Sequence, residues 1–122
     1  PWYSLNLDDP AACEAAAIPV ERIAGPVLLL SGEDDAMWPS IRMGEMVMAR
    51  LRAHGHPYPD RHLRYRGAGH LLSFPYLPPS VHPSRHPALG AAFAYGGNPR
   101  DQVRANADSW HTVLEFLEGG KV

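Results

Sequence analysis

Val27-Leu28-Leu29-Leu30-Ser31-Gly32-Glu33-Asp34-Asp35 is the stretch whose reading decides the fold. Gly25-Pro26 punctuates the chain before it, and the apolar residues do not alternate with polar ones. A short unalternating run marks a strand buried on both faces of a parallel sheet. Beyond the acids and Pro39, Ser40 is placed to cap a helix running to about His54, with Gly55 as its stop. Met43, Met46, Val47 and Leu51 recur at three- and four-residue intervals and give that helix one apolar face. After a turn, His62-Leu63-Arg64-Tyr65-Arg66 alternates and is more polar, so it reads as a strand nearer a sheet edge. Strand, helix and strand in this order form a βαβ unit with a right-handed crossover.

The flanks carry their own punctuation. Asp9-Pro10 offers an N-cap followed by proline at the first helical position, opening a short helix over Ala11 to Ala17 that Ile18-Pro19 stops. Pro1 to Leu7 reads as a loop or a strand remnant. Leu71 to Gly97 is broken by five prolines and shows no sustained periodicity, which predicts a long loop directly behind His70. Asn98-Pro99 opens a last helix whose Val103, Ala107, Trp110, Leu114 and Leu117 form one apolar stripe, ended by Gly119-Gly120.

Composition bounds the function. The 122 residues are 45 % apolar with a net charge of −2, as expected of one globular domain. Interspersed charge favours neither nucleic acid nor an anionic membrane as partner. The longest apolar run falls far short of the roughly 20 residues that span a bilayer. The single cysteine, Cys13, forms no internal disulfide and suits a reducing cytoplasm. Ten of the eleven basic residues are arginine, a bias expected of a bacterial, GC-rich coding sequence.

Chemistry concentrates at two strand ends. Asp35 follows the first strand, and Gly67-Ala68-Gly69-His70 follows the second. An acid and then a histidine are the last two members of a nucleophile–acid–histidine triad in the order of the α/β-hydrolases. Both fall at the carboxyl edge of the sheet, where ligands of open α/β sheets bind. A triad needs a buried carboxylate against one imidazole nitrogen, so that the other can take the nucleophile's proton. Asp35, three residues beyond Gly32 and four before Pro39, is the expected acid; Asp34 is expected to brace the turn and Glu33 to face solvent. The nucleophile is absent, because no Gly-x-Ser-x-Gly or Gly-x-Cys-x-Gly occurs. The chain is therefore expected to be one domain, residues 1–122, forming the C-terminal portion of an α/β-hydrolase fold without its nucleophile elbow. Its first residue, Pro1 rather than Met, agrees with that expectation.

Other candidates are weaker. Cys13 precedes the acid but sits within an alanine-rich helix with no flanking glycines. Ser31 ends a strand without the glycine that an elbow places two residues before. His54, His56 and His62 fall on a helix end, a turn and a strand start, which suits surface histidines better than the three fixed ligands of catalytic zinc. His82 and His86 lie in the long loop. No metal or cofactor is called for. Trp38 and Trp110 read as core or pocket wall, and Arg50, Arg52, Arg64 and Arg66 as a solvated face.

In combination, Ile18-Pro19-Val20-Glu21-Arg22-Ile23, the run from Gly25 to Ser40, Leu51-Arg52-Ala53-His54-Gly55, Tyr65 to His70, Pro75-Tyr76 and Tyr95-Gly96-Gly97-Asn98-Pro99 resemble the C-terminal catalytic region of acyl-CoA thioester hydrolases and bile acid-CoA:amino acid N-acyltransferases. The resemblance extends from about Ile18 to the last helix. It implies acyl transfer from a CoA thioester, with the family's acid at Asp35 and its histidine at His70. The family's nucleophile, serine or cysteine, and its oxyanion amides would lie upstream, leaving this chain inactive alone. Trp38, Leu71, Phe74 and Tyr76 would then contribute to substrate binding. One departure is visible: Ser73-Phe74-Pro75 stands where the family carries an acidic residue and two prolines before the tyrosine. The contrasting reading is a non-catalytic or degenerate hydrolase half acting as an interaction module. In either case two strands cut from a wider sheet are expected to self-associate.

Overall fold

The computed structural model describes residues 7–77, 84–85, 88 and 90–119. Helix α1 (Pro10–Ala16) opens with Asp9, whose carboxylate accepts from the amides of Ala11 and Ala12. A single 3-10 turn (Val20–Arg22) leads into strand β1 (Leu28–Gly32). Helix α2 (Ser40–Ala53) then carries the chain back to strand β2 (Arg61–Tyr65). The two strands are parallel, in register from Leu28 against Arg61 to Gly32 against Tyr65. Parallel neighbours need a long crossover, here supplied by α2. A two-residue antiparallel pair, β3 (Ser84–Arg85) with β4 (Ala92–Phe93), interrupts the stretch expected to be one long loop. Helix α3 (Pro99–Leu117) follows, with the Asn98 side chain accepting from the Asp101 amide as its cap. The possible strand remnant at the N-terminus, apart from Leu7, and both His82 and His86 lie outside the described residues.

Several local expectations are corrected. Ser40 is the first residue of α2 rather than its cap; its hydroxyl donates to the Gly32 carbonyl and ties the helix start to the end of β1. The apolar face expected on α2 is rotated. Leu51 is buried and Val47 half-buried, whereas Met43 and Met46 are exposed. The inner face also carries Gly44, because the His62 ring occupies the space that a Cβ there would need. β1 is not buried on both faces: Leu28, Leu29 and Leu30 are half-buried, and only Ser31 and Gly32 are enclosed. Among the described residues the strand pair has no further neighbour at either edge, so the leucines lack the cover that a wider parallel sheet gives.

Helix α3 holds the largest departure. Its buried residues are Gln102, Ala105, Asn106, Ser109 and Thr112. The apolar stripe is turned outward, with Val103, Leu114 and Leu117 exposed, Ala107 exposed and Trp110 half-buried. Periodicity identifies two opposite faces of a helix but not which one the chain covers. Here the polar face is inside because its amides find backbone partners on the loop after β2. Among the described residues no buried side-chain nitrogen or oxygen lacks a hydrogen bond.

Two histidines expected at the surface are interior. The His56 side chain is only 1 % exposed and lies against Asp60. The His62 ring is half-buried between Gly44 and the Ser31 hydroxyl, which lies 2.9 Å from Nε2. Burial, then the nearby Arg64 charge, hold His62 below the usual imidazole value. Arg50 is likewise no freely solvated cation: it grips Glu21 of the 3-10 turn through Nε at 2.6 Å and Nη2 at 3.1 Å.

Candidate functional site

The strand register places the carboxyl ends of β1 and β2 side by side, so the segments that leave them meet. The Glu33 amide donates to the Tyr65 carbonyl and the Asp34 amide to that of Ala68. These two bonds fold the acid turn against the turn that precedes His70. Asp35 is thereby carried inward while the Glu33 and Asp34 side chains remain exposed.

One carboxylate oxygen of Asp35 accepts from the amides of Met37 and Trp38, at 2.8 and 2.9 Å. The other lies 3.0 Å from Nδ1 of His70. The Asp35 side chain is 4 % exposed and that of His70 is 20 % exposed. Burial pushes the Asp35 carboxyl up, but the Trp38 amide, the His70 imidazole and the Met37 amide outweigh it and hold the group below its usual value. A carboxylate in that position accepts, which assigns a proton to Nδ1, so that in the neutral ring the lone pair is on Nε2. Among the described residues Nε2 has no hydrogen-bond partner.

The ring is bounded by two aromatic side chains. Trp38 meets it edge-on at 4.9 Å, and Tyr95 lies parallel to it at 6.3 Å. The Tyr95 carbonyl also receives the His70 amide at 2.8 Å and that of Ala36 at 3.4 Å, so one oxygen joins the histidine loop to the acid turn. Gly96 follows in the left-handed region, with φ of +73°, and forms a bridge with Asp35. A Cβ at Gly96 would run into the Asp34 carbonyl, and one at Gly69 into the carbonyls of Gly96 and Tyr95. Glycine is needed at both places by close approach of backbone to backbone.

Of the residues expected to bind substrate, Trp38 is beside His70 and Leu71 follows it half-buried. Phe74 packs edge-on against Trp110 instead, at 4.8 Å, and Tyr76 is 92 % exposed. The structure does not draw these four into one wall. Among the described residues no group of three or more histidine, cysteine or acidic side chains is placed to hold a metal. No helix of the described residues is long and apolar enough to cross a membrane.

Two side chains at the site escaped the sequence reading. Both lie on α3 and are 1 % exposed: Gln102 bonds the backbone on either side of His70, and Asn106 accepts from the Ser73 amide. The signal was present as a polar face, Gln102, Asn106 and Ser109 at helical spacing, opposite the more conspicuous apolar stripe.

A parallel strand pair joined through a helix, with an acid beyond the first strand and a histidine beyond the second, is the arrangement of the C-terminal portion of an α/β-hydrolase. The chain belongs to the family described as BAAT / acyl-CoA thioester hydrolase C terminal, which matches residues 5–120. It is 39 % identical over 101 residues to acyl-coenzyme A thioesterase 6 of Mus musculus, covering 83 % of this chain and 24 % of that protein. It is 34 % identical over 111 residues to the peroxisomal succinyl-coenzyme A thioesterase of Mus musculus, covering 90 % and 26 %. It is 36 % identical over 100 residues to acyl-coenzyme A amino acid N-acyltransferase 1 of Mus musculus, covering 82 % and 24 %. The chain spans about a quarter of the length of these relatives.

Proposed function

We propose that residues 1–122 supply the acid and the histidine of a site that cleaves acyl-CoA thioesters, with the nucleophile carried by sequence outside them. The observation that carries this reading is the 3.0 Å approach of His70 Nδ1 to an Asp35 carboxylate that two amides already hold. In this reading Nε2 of His70 takes the proton of a serine or cysteine as it attacks the thioester carbonyl. His70 then returns the proton to the departing thiolate, and the acyl group stays on the nucleophile. Water, deprotonated by the same nitrogen, releases the acid. Asp35 keeps the imidazole in the productive tautomer and stabilises its cation.

The likeness to an amino acid N-acyltransferase supports the same first half-reaction followed by a second in which an amine takes the place of water. Which acceptor is used is decided at the second step, when either molecule meets the acyl-enzyme. Residues 1–122 alone carry no nucleophile elbow and are expected to release no thiol from acyl-CoA.

The test is to express the uninterrupted reading frame and follow thiol release from acyl-CoA, with and without His70→Ala. Loss of about 10³-fold or more in kcat on substitution supports the role of His70. Undiminished turnover, or a frame without a serine or cysteine elbow, leaves Asp35 and His70 as structural residues of a binding module.

A further inference from the structure

His70 sits on a loop rather than on a strand or helix, yet three successive residues of that loop are fixed by backbone hydrogen bonds. The His70 amide is taken by Tyr95. The groups on either side of it go to a single side chain on α3. Gln102 Oε1 accepts from the Gly69 amide at 2.8 Å, and its Nε2 donates to the Leu71 carbonyl at 2.8 Å. The same Nε2 donates to Asn106 Oδ1 at 3.0 Å, one helical turn on. Asn106 Oδ1 also accepts from the Ser73 amide at 3.2 Å, and its Nδ2 donates to the Ser73 hydroxyl at 3.3 Å.

Each amide has one workable orientation. Reversing Gln102 would set its oxygen against the Leu71 carbonyl and its NH₂ against the Gly69 amide. A buried side chain that satisfies a donor before His70 and an acceptor after it fixes the direction in which the histidine's Cα–Cβ bond leaves the loop. That direction determines whether Nδ1 meets Asp35, and small misplacements of a reacting group cost rate steeply.

We propose that Gln102 is a positioning residue for His70, with Asn106 holding Gln102 and extending the grip to Ser73. The proposal rests on the reading of Asp35 and His70 as a proton-handling pair. α3 reaches the site through its polar face, and its role there is to hold the histidine loop rather than to touch substrate.

The test uses this chain and the imidazole ¹⁵N and ¹H signals of His70 in nuclear magnetic resonance. The unsubstituted chain is expected to show a single tautomer protonated at Nδ1, with a low-field proton resonance slow to exchange with water. Absence of that signal in the unsubstituted chain would refute the pairing with Asp35 itself. Gln102→Met keeps the length and apolar stem but removes both amide groups. It is expected to lose the resonance and to mix the two tautomers while circular dichroism retains the helices. Ser109→Ala, which removes a buried hydroxyl bonded only to the helix's own Asn106 carbonyl, is expected to leave the signal intact. A folded Gln102→Met chain with an unchanged His70 signal overturns the proposal. Should that variant not fold, amide exchange in the unsubstituted chain decides: protection at Gly69 and Ser73 together supports the grip, and exchange at the rate of an open loop at either overturns it.

Discussion

His56 and Asp60 form the shortest of the histidine–carboxylate pairs described, Nδ1 lying 2.6 Å from the carboxylate while Nε2 lies 2.8 Å from the carbonyl of Ile23. Both ring nitrogens thus face acceptors, and only the doubly protonated ring can donate to both. The other Asp60 oxygen accepts from the Val27 amide. The pair therefore pins the turn after α2 to the chain entering β1.

From this follows a pH dependence of stability. The Ile23 carbonyl and then the Asp60 carboxylate hold His56 above its usual value, against the opposing effect of burial. Below about pH 6.5 the folded and unfolded chains both carry the proton and the full stabilisation is present. It is lost as pH rises through the folded value, where only the native ring pays to release its proton. Thermal melts of the wild type and His56→Gln are expected to differ most near pH 6 and least near pH 9. A difference independent of pH would show that the native ring is neutral.

Asp35 has the opposite sign. Its carboxyl is lower in the folded chain than in the unfolded one, so its stabilisation is present above about pH 4 and disappears as pH falls through the folded value. Asp35→Asn is expected to narrow the gap between neutral and acid stability, measured as the denaturant midpoint across that range. If Asp35 and His70 act as proposed, the same substitution in the longer reading frame is expected to lower kcat by about 10⁴-fold, because the amide favours the wrong tautomer of His70.

Gly69→Ala is expected to destabilise the chain by about 1–3 kcal/mol, since its Cβ meets backbone carbonyls that cannot swing aside. Gly96→Ala adds to such an overlap the cost of a left-handed alanine, about 1–2 kcal/mol. Gly25→Ala meets nothing within 4 Å and is expected to stay within about 0.5 kcal/mol of wild type. Urea titration of the three variants checks the ranking.

The outward stripe of α3 is expected to drive self-association of these 122 residues. Light scattering should show a mass that rises with concentration. Leu117→Lys combined with Val103→Glu, both at exposed positions, should return it to the monomer. A monomeric wild type over a wide concentration range would count against this expectation.

What could be read in the sequence was what short-range chemistry decides. Asp9-Pro10 and Asn98-Pro99 announce helix starts because cap and proline act within one turn. That Asp35 and His70 would meet was legible because each follows a strand, and parallel strands deliver both to one edge. Three features depended on distant partners and were not legible. The rotation of α2 follows from the His62 ring lying on Gly44, and the interior place of His56 from Asp60 and Ile23. The inversion of α3 follows from loop backbone groups that Gln102 and Asn106 satisfy, a demand that no property of the helix itself discloses.

The carbonyl of Tyr95 gives the long segment behind His70 a property of its own. That segment leaves from the histidine and returns to it, its two ends joined by one 2.8 Å bond. With its base closed in this way, additional length in the segment is expected to cost only about 0.6 kcal/mol per doubling. Sequence added between the two anchors is therefore expected to leave the approach of His70 to Asp35 unchanged.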